Sequence, residues 1–213
     1  MRTLQKLSLF LFAACHLNAD VIFNNFGTSD SFDLNTGLTV ADSSGANLKT
    51  SLSFTPSVDF QLAQIDFVTS LLNAGDQNQV TITLSSTDSD GNPGAAIEVF
   101  SFSGQMGVLG SVVSPPVLLS AISGINPVLR IGTTYWITAE SSPDVTVVWN
   151  QNTLSPNDVG TMAQYQSPSW TTQPVTRGAF RVLGTLVTVP SAVLRPIFPK
   201  AQNTLLALHR TTK

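Results

Sequence analysis

The chain has 213 residues, of which 42% are hydrophobic and 11% charged, enough for one domain with a real core and outside the disordered class. All 13 acids lie between residues 20 and 189 with only Lys49, Arg130, Arg177 and Arg181 to balance them, so this acidic body excludes a phosphate-backbone partner. Cys15, His16 and His209 fall outside it, which excludes Ser-His-Asp, Cys-His and His-based zinc chemistry from the body.

Residues 1–19, MRTLQKLSLFLFAACHLNA, combine basic Arg2 and Lys6, an apolar run from Leu7 to Ala14, and small residues ahead of a cut after Ala19. This is the pattern of a secretory signal, too short to span a bilayer. Phe12-Ala13-Ala14-Cys15 also resembles a lipoprotein box, giving lipidation of Cys15 as the minor alternative. A cut after Ala19 leaves a cysteine-free domain, in keeping with a secreted or envelope-associated protein large enough to fold without disulfides.

From residue 20 onward, alternating apolar and polar stretches rich in β-branched and aromatic residues are separated by clusters of Gly, Asn, Asp, Ser and Pro. The spacing predicts an all-β fold, an antiparallel β-sandwich of jelly-roll type, over residues 20–188. Strands are expected at 21–26, 48–54, 60–70, 79–85, 96–103, 117–122, 134–139, 146–149, 160–165 and 179–187. In Val80-Thr81-Ile82-Thr83-Leu84 the apolar residues share one face and the threonines the other, so this strand has one buried and one wet face. Pro56 closes the strand ending at Phe54. Only the stretch from Val117 to Leu129 competes as a helix, and Pro127 interrupts it.

Within the body, Asp88-Ser89-Asp90-Gly91-Asn92 alternates side-chain oxygens around a glycine, as a calcium loop does, making Asp88, Asp90 and Asn92 the candidate ligands. Glu98 is displaced from the position that the full loop requires, and the same residues form a hairpin turn, which is the preferred reading. No other cofactor is expected. Trp136, Trp149, Trp170, Tyr135 and Tyr165 have side chains suited to stacking on sugar rings. Adjacent strand positions face opposite ways, so Tyr135 and Trp136 are not both expected in the core. Trp149 shares a face with Val145 and Val147 and reads as core, whereas Trp170, between Pro168 and Pro174, reads as an exposed ring in a polar loop.

Arg177 and Arg181 lie on one side of an extended segment. Pairing with the excess carboxylates is the preferred reading, and a site for an acidic glycan the alternative. Asp66, Glu98, Glu140 and Asp144 are of the type that a glycosidase uses, with no spacing that pairs them. Trp170, Tyr135, Arg177 and Arg181 are therefore the candidate ligand-binding residues.

Val189 to Lys213 is richer in proline and basic, without acids, and reads as a disordered tail or a short surface-seeking helix rather than a membrane span.

Several pieces taken together resemble the choice-of-anchor R domain of exported bacterial proteins, many of which end in a PEP-CTERM sorting signal. They are Asn24-Asn25-Phe26-Gly27, SFTPSVDFQLAQIDF at 53–67, the Thr87–Gly94 loop, TTYWITA at 133–139, VVWNQN at 147–152 and RGAFRVLG at 177–184. The resemblance implies an extracellular β-sandwich of bacteria that make exopolysaccharide. Ser191-Ala192 stands where the sorting signal has Glu-Pro. The expected function is a noncatalytic surface or matrix protein engaging extracellular polysaccharide or surface proteins. A purely structural or adhesive protein and a carboxylate-based glycan-active enzyme are the alternatives.

Overall fold

In the computed structural model, which describes residues 19–43, 46–154 and 158–187, period-two alternation sorts the side chains between a core and two outer faces. The expectations for the leader, for Cys15 and for the C-terminal tail lie outside these residues.

Among the described residues fourteen strands follow one another: β1 Asp20–Asn24, β2 Phe32–Ser43, β3 Ala46–Phe54, β4 Phe60–Phe67, β5 Thr69–Leu71, β6 Gln79–Thr87 and β7 Pro93–Ser103, then β8 Leu119–Ile122, β9 Val128–Leu129, β10 Tyr135–Ser141, β11 Val145–Asn152, β12 Val159–Gln166, β13 Ser169–Thr176 and β14 Phe180–Leu186. They build an all-β antiparallel sandwich. One sheet has five strands in the order β1-β14-β4-β8, with β9 also on β4; the other has nine. In the larger sheet, β3 pairs first with β2 (Ala41 opposite Leu48) and then with β10 (Ala139 opposite Thr50 through Tyr135 opposite Phe54). Its opposite edge is held by β12, from Leu48 opposite Gln166 to Leu52 opposite Met162. A continuous surface β13-β12-β3-β10-β6-β7 results, and β2, β11 and β5 curl away from it.

The core lies between the sheets. Leu52 and Phe54 of β3, Ile82 and Leu84 of β6, and Ile137 of β10 meet Phe60, Leu62, Ile65 and Phe67 of β4 and Phe180 of β14. Fully burying a side chain of this size contributes roughly 1.5–3 kcal/mol relative to leaving it in water. Trp149 is wholly buried, as its shared face with Val145 and Val147 predicts, and its indole Nε1 donates to the Ala179 carbonyl at 3.1 Å. A Cβ at Gly178 would strike that ring, which explains a glycine beside Ala179.

Three buried asparagines tie the sandwich together at one end. The Asn25 amide donates to the Gly178 carbonyl and the Asp158 carboxylate and accepts from the Phe180 N–H. Asn150 accepts from the Ser70 hydroxyl and donates to the Asp33 carbonyl. Asn152 donates to the carbonyls of Asp158 and Arg177 and accepts from the N–H groups of Leu154 and Asp158. Each side chain stands in for ladder bonds that the strands cannot make where they change direction.

The structure corrects three sequence expectations. Residues 32–43 form a strand that was not anticipated. Between Phe32 and Gly37 it departs from its partner β11, and the Asp33 carboxylate accepts the N–H groups of Asn35 and Thr36, a local turn inside the strand. Residues 169–176 are strand β13 rather than a loop. Among the described residues β13 pairs only with β12, so Pro174 sits in an edge strand, where a missing N–H costs no ladder bond. Tyr135 and Trp136 are both buried, at 6% and 2% exposure, although they face opposite sides of β10. Residues 117–129 contain β8 and β9 and no helix. Among the described residues, no helix is long and apolar enough to cross a membrane.

Candidate functional site

On the face of the larger sheet turned away from the core, the strand order brings side chains from six strands into one open trough of about 360 Å³. Its size falls at the lower end of the ~300–1,000 Å³ range of ligand clefts. The floor is polar because these residues alternate with core residues. Thr138 of β10 lies opposite Thr83 of β6 and Ser51 of β3, while Ile137 and Leu84 point inward. Pro93 and Gly94 of β7 bound the trough on one side.

The other side is aromatic. Tyr165 and Trp170 are cross-strand partners on β12 and β13, both half-buried, with ring centroids 5.2 Å apart and planes inclined at 59°. Tyr165 is also opposite Lys49 of β3, whose Nζ lies 6.0 Å from the tyrosine ring centroid and 2.7 Å from Glu140 Oε1. Within the floor, the Thr138 and Ser51 hydroxyls are hydrogen-bonded to each other at 2.9 Å. Ser85 differs. It is 2% exposed, and among the described residues its hydroxyl has no protein partner, nor has the indole Nε1 of Trp136 opposite it in the ladder. Flat rings with polar edges, facing a row of hydroxyls and one ion pair, can stack a sugar ring and hydrogen-bond its hydroxyls.

Of the residues singled out in the sequence, Trp170 lines this trough. It is half-buried on a strand, not fully exposed on a loop. Tyr135 does not line it; its ring packs 6.0 Å from that of Phe54 in the core, and its hydroxyl accepts the Arg130 N–H at 2.9 Å. A strand residue on the inward face cannot reach an outer ligand.

Arg177 and Arg181 also lie elsewhere and are held by carboxylates. Arg177 makes a two-pronged pair with Asp158, Nε to Oδ2 at 2.7 Å and Nη2 to Oδ1 at 2.6 Å, and stacks 4.8 Å above Phe23. Burial raises the Asp158 pKa, but the hydrogen bonds from Arg177 and Asn25 together outweigh it and hold the carboxyl below its ordinary value. Arg181 donates from Nε and Nη2 to Asp66 Oδ2 and from Nη1 to Asp30. Burial lowers the Arg181 pKa, and pairing with Asp66 and Asp30 more than reverses it.

At the candidate calcium loop, Asp88 Oδ1 accepts the N–H groups of Asp90 and Asn92 at 2.9 and 2.8 Å, and Gly91 takes φ +85°. These are the bonds of a turn. Glu98 points to a different loop, where it accepts from the Ser123 hydroxyl and the Gly124 N–H. Among the four carboxylates considered for glycosidase chemistry, Glu140 alone lines the trough. Asp66 is buried against Arg181, and Asp144 occupies a turn at φ +60°.

The sequence marks Tyr165 only as one ring among five and points to no binding role for Lys49, Thr83, Ser85 or Thr138. The signal that could have found them is the wet face of β6 read together with the register of β3, β10 and β12. No family model matches the chain, and no curated protein is similar to it in sequence.

Proposed function

We propose that this chain is an exported, noncatalytic surface or matrix protein of the choice-of-anchor R kind, and that the trough on its larger sheet binds extracellular polysaccharide. The observation that carries the reading is the Tyr165–Trp170 wall facing a floor of hydroxyls. Half-buried aromatic pairs on an outer sheet face expose apolar area that a soluble fold gains nothing by keeping wet, whereas the C–H face of a pyranose covers it. The apolar run and small residues of 1–19 support export.

Affinity electrophoresis of the purified protein through gels containing the producing organism's own extracellular polysaccharide tests this. Retardation is expected, together with its loss in Trp170→Ala at an unchanged circular dichroism spectrum. Unretarded migration of the native protein would move the role to a structural or adhesive one. Shortening of the polymer during the run would point instead to a glycan-active enzyme.

A further inference from the structure

The trough holds two features that decide which kind of glycan it takes. The first is charge. The described residues contain four cations, Lys49, Arg130, Arg177 and Arg181, against thirteen acids, a net of −9. Each of the four is already bound to a carboxylate: Lys49 to Glu140, Arg130 to Asp59, Arg177 to Asp158, and Arg181 to Asp66 and Asp30. A polyanionic chain entering the trough meets no free cation among the described residues. To gain one it must displace Glu140 from Lys49 within a field that repels it. The intact Lys49–Glu140 pair presents N–H donors beside a carboxylate acceptor, which suits neutral hydroxyls.

The second feature is Ser85. β6 and β7 lose register at this residue: Leu84 is opposite Glu98, but Ser85 is opposite Ala96, so β7 carries an extra residue in a bulge. Bulges re-aim side chains next to binding sites. Thr138, the other buried hydroxyl in the lining, is satisfied by Ser51. Ser85 lines the trough at 2% exposure, and among the described residues its hydroxyl has no partner; nor has Trp136 Nε1 across the ladder. A buried hydroxyl left unmade in a native fold is destabilising unless a ligand completes it.

We infer that the trough takes an uncharged polysaccharide segment, stacked on Tyr165 and Trp170 with a sugar hydroxyl hydrogen-bonded to Ser85; this rests on the glycan-binding reading above. An acidic polymer such as a uronate chain is disfavoured.

The test is affinity electrophoresis of the full chain in gels of neutral dextran, galactomannan and xyloglucan, and of anionic alginate and polygalacturonate, each at low and high salt. Retardation by a neutral polymer is expected, insensitive to salt. Ser85→Ala is expected to weaken it by roughly five- to tenfold, the worth of one hydrogen bond. Its melting temperature should be unchanged or raised, since the variant removes an unsatisfied group; a residue with a merely structural role would lower it. Retardation by the uronate polymers alone, abolished by salt, would overturn the uncharged class while leaving glycan binding intact. Neutral binding indifferent to Ser85→Ala would overturn the hydroxyl anchor. No retardation in any gel, the organism's own polymer included, would overturn the glycan reading itself.

Discussion

Each sheet of the sandwich turns a polar row outward, and the two rows differ in whether they are complete. Across β14, β4 and β8 of the smaller sheet, Arg181, Asp66 and Ser120 stand opposite one another in register. Asp66 Oδ2 receives two N–H groups of Arg181, and its Oδ1 receives the Ser120 hydroxyl and the Gln64 amide. Nothing in that row asks for a ligand. Across β12, β3, β10 and β6 of the larger sheet, the row contains one internal hydroxyl pair, one ion pair, and a serine with no partner. A closed network fixes a fold, whereas an open one leaves hydrogen-bonding capacity for another molecule.

The sharpest way to break this comparison is to open the closed row. Asp66 is fully buried and Arg181 mostly so, and removing Asp66 leaves the guanidinium to the half-exposed Asp30. Asp66→Ala is expected to cost about 3–5 kcal/mol in urea unfolding. Any glycan binding by the folded fraction should stay at the native level. A loss below about 1 kcal/mol would mean that the row contributes little to the fold and that completeness is no guide to role.

A smaller effect comes from acid. The Asp158 and Asp33 carboxyls both sit below their ordinary value of 3.8. For Asp158, burial opposes ionisation, and the Arg177 and Asn25 hydrogen bonds prevail over it. For Asp33, burial again opposes, and the Thr36 and Asn35 hydrogen bonds prevail. A carboxyl whose folded pKa lies below the unfolded one contributes stability that is fully present above the unfolded value and is lost as pH falls through the folded one. Thermal stability should therefore hold from neutrality down to about pH 5 and decline below about pH 4. Asp158→Asn should flatten part of that decline. An Asp158→Asn protein whose acid profile matches the native one would remove this carboxyl from the account.

What could be read from residues alone follows the same division. The core was legible because its signal is local: Val80 to Leu84 alternate strictly, and Trp149 shares a face with Val145 and Val147. β2 was obscured by Asp33, Asn35 and Gly37; Asp33 does make a turn with Asn35 and Thr36, but one that the strand absorbs opposite Asn150 and Asn152. β13 was obscured because it is an edge strand, polar along most of its length and carrying a proline. The trough was illegible for a different reason. Lys49, Ser85, Thr138, Glu140 and Trp170 belong to four strands far apart in sequence, and each looks like the wet face of an ordinary strand until the register puts them side by side. Adjacency also misled in the opposite direction. Alternation divides Tyr135 and Trp136 between the core and the outer face, yet Trp136 on the outer face is as fully buried as Tyr135 in the core.

The smallest expected effect concerns the one ion pair in the open row. Lys49 and Glu140 keep 27% and 38% of their side chains exposed, so water screens their attraction, and ordering two long side chains offsets much of what remains. A double-mutant cycle with Lys49→Gln and Glu140→Gln should give a coupling below about 1 kcal/mol, reduced further by salt. That outcome would set the pair apart from Asp66 and Arg181, which make the same type of bond in a buried row. A coupling of about 3 kcal/mol would show instead that Lys49–Glu140 locks β3 to β10 as a structural clasp. The trough would then be as closed as the opposite face, and its hydroxyl floor would have to be explained by folding alone.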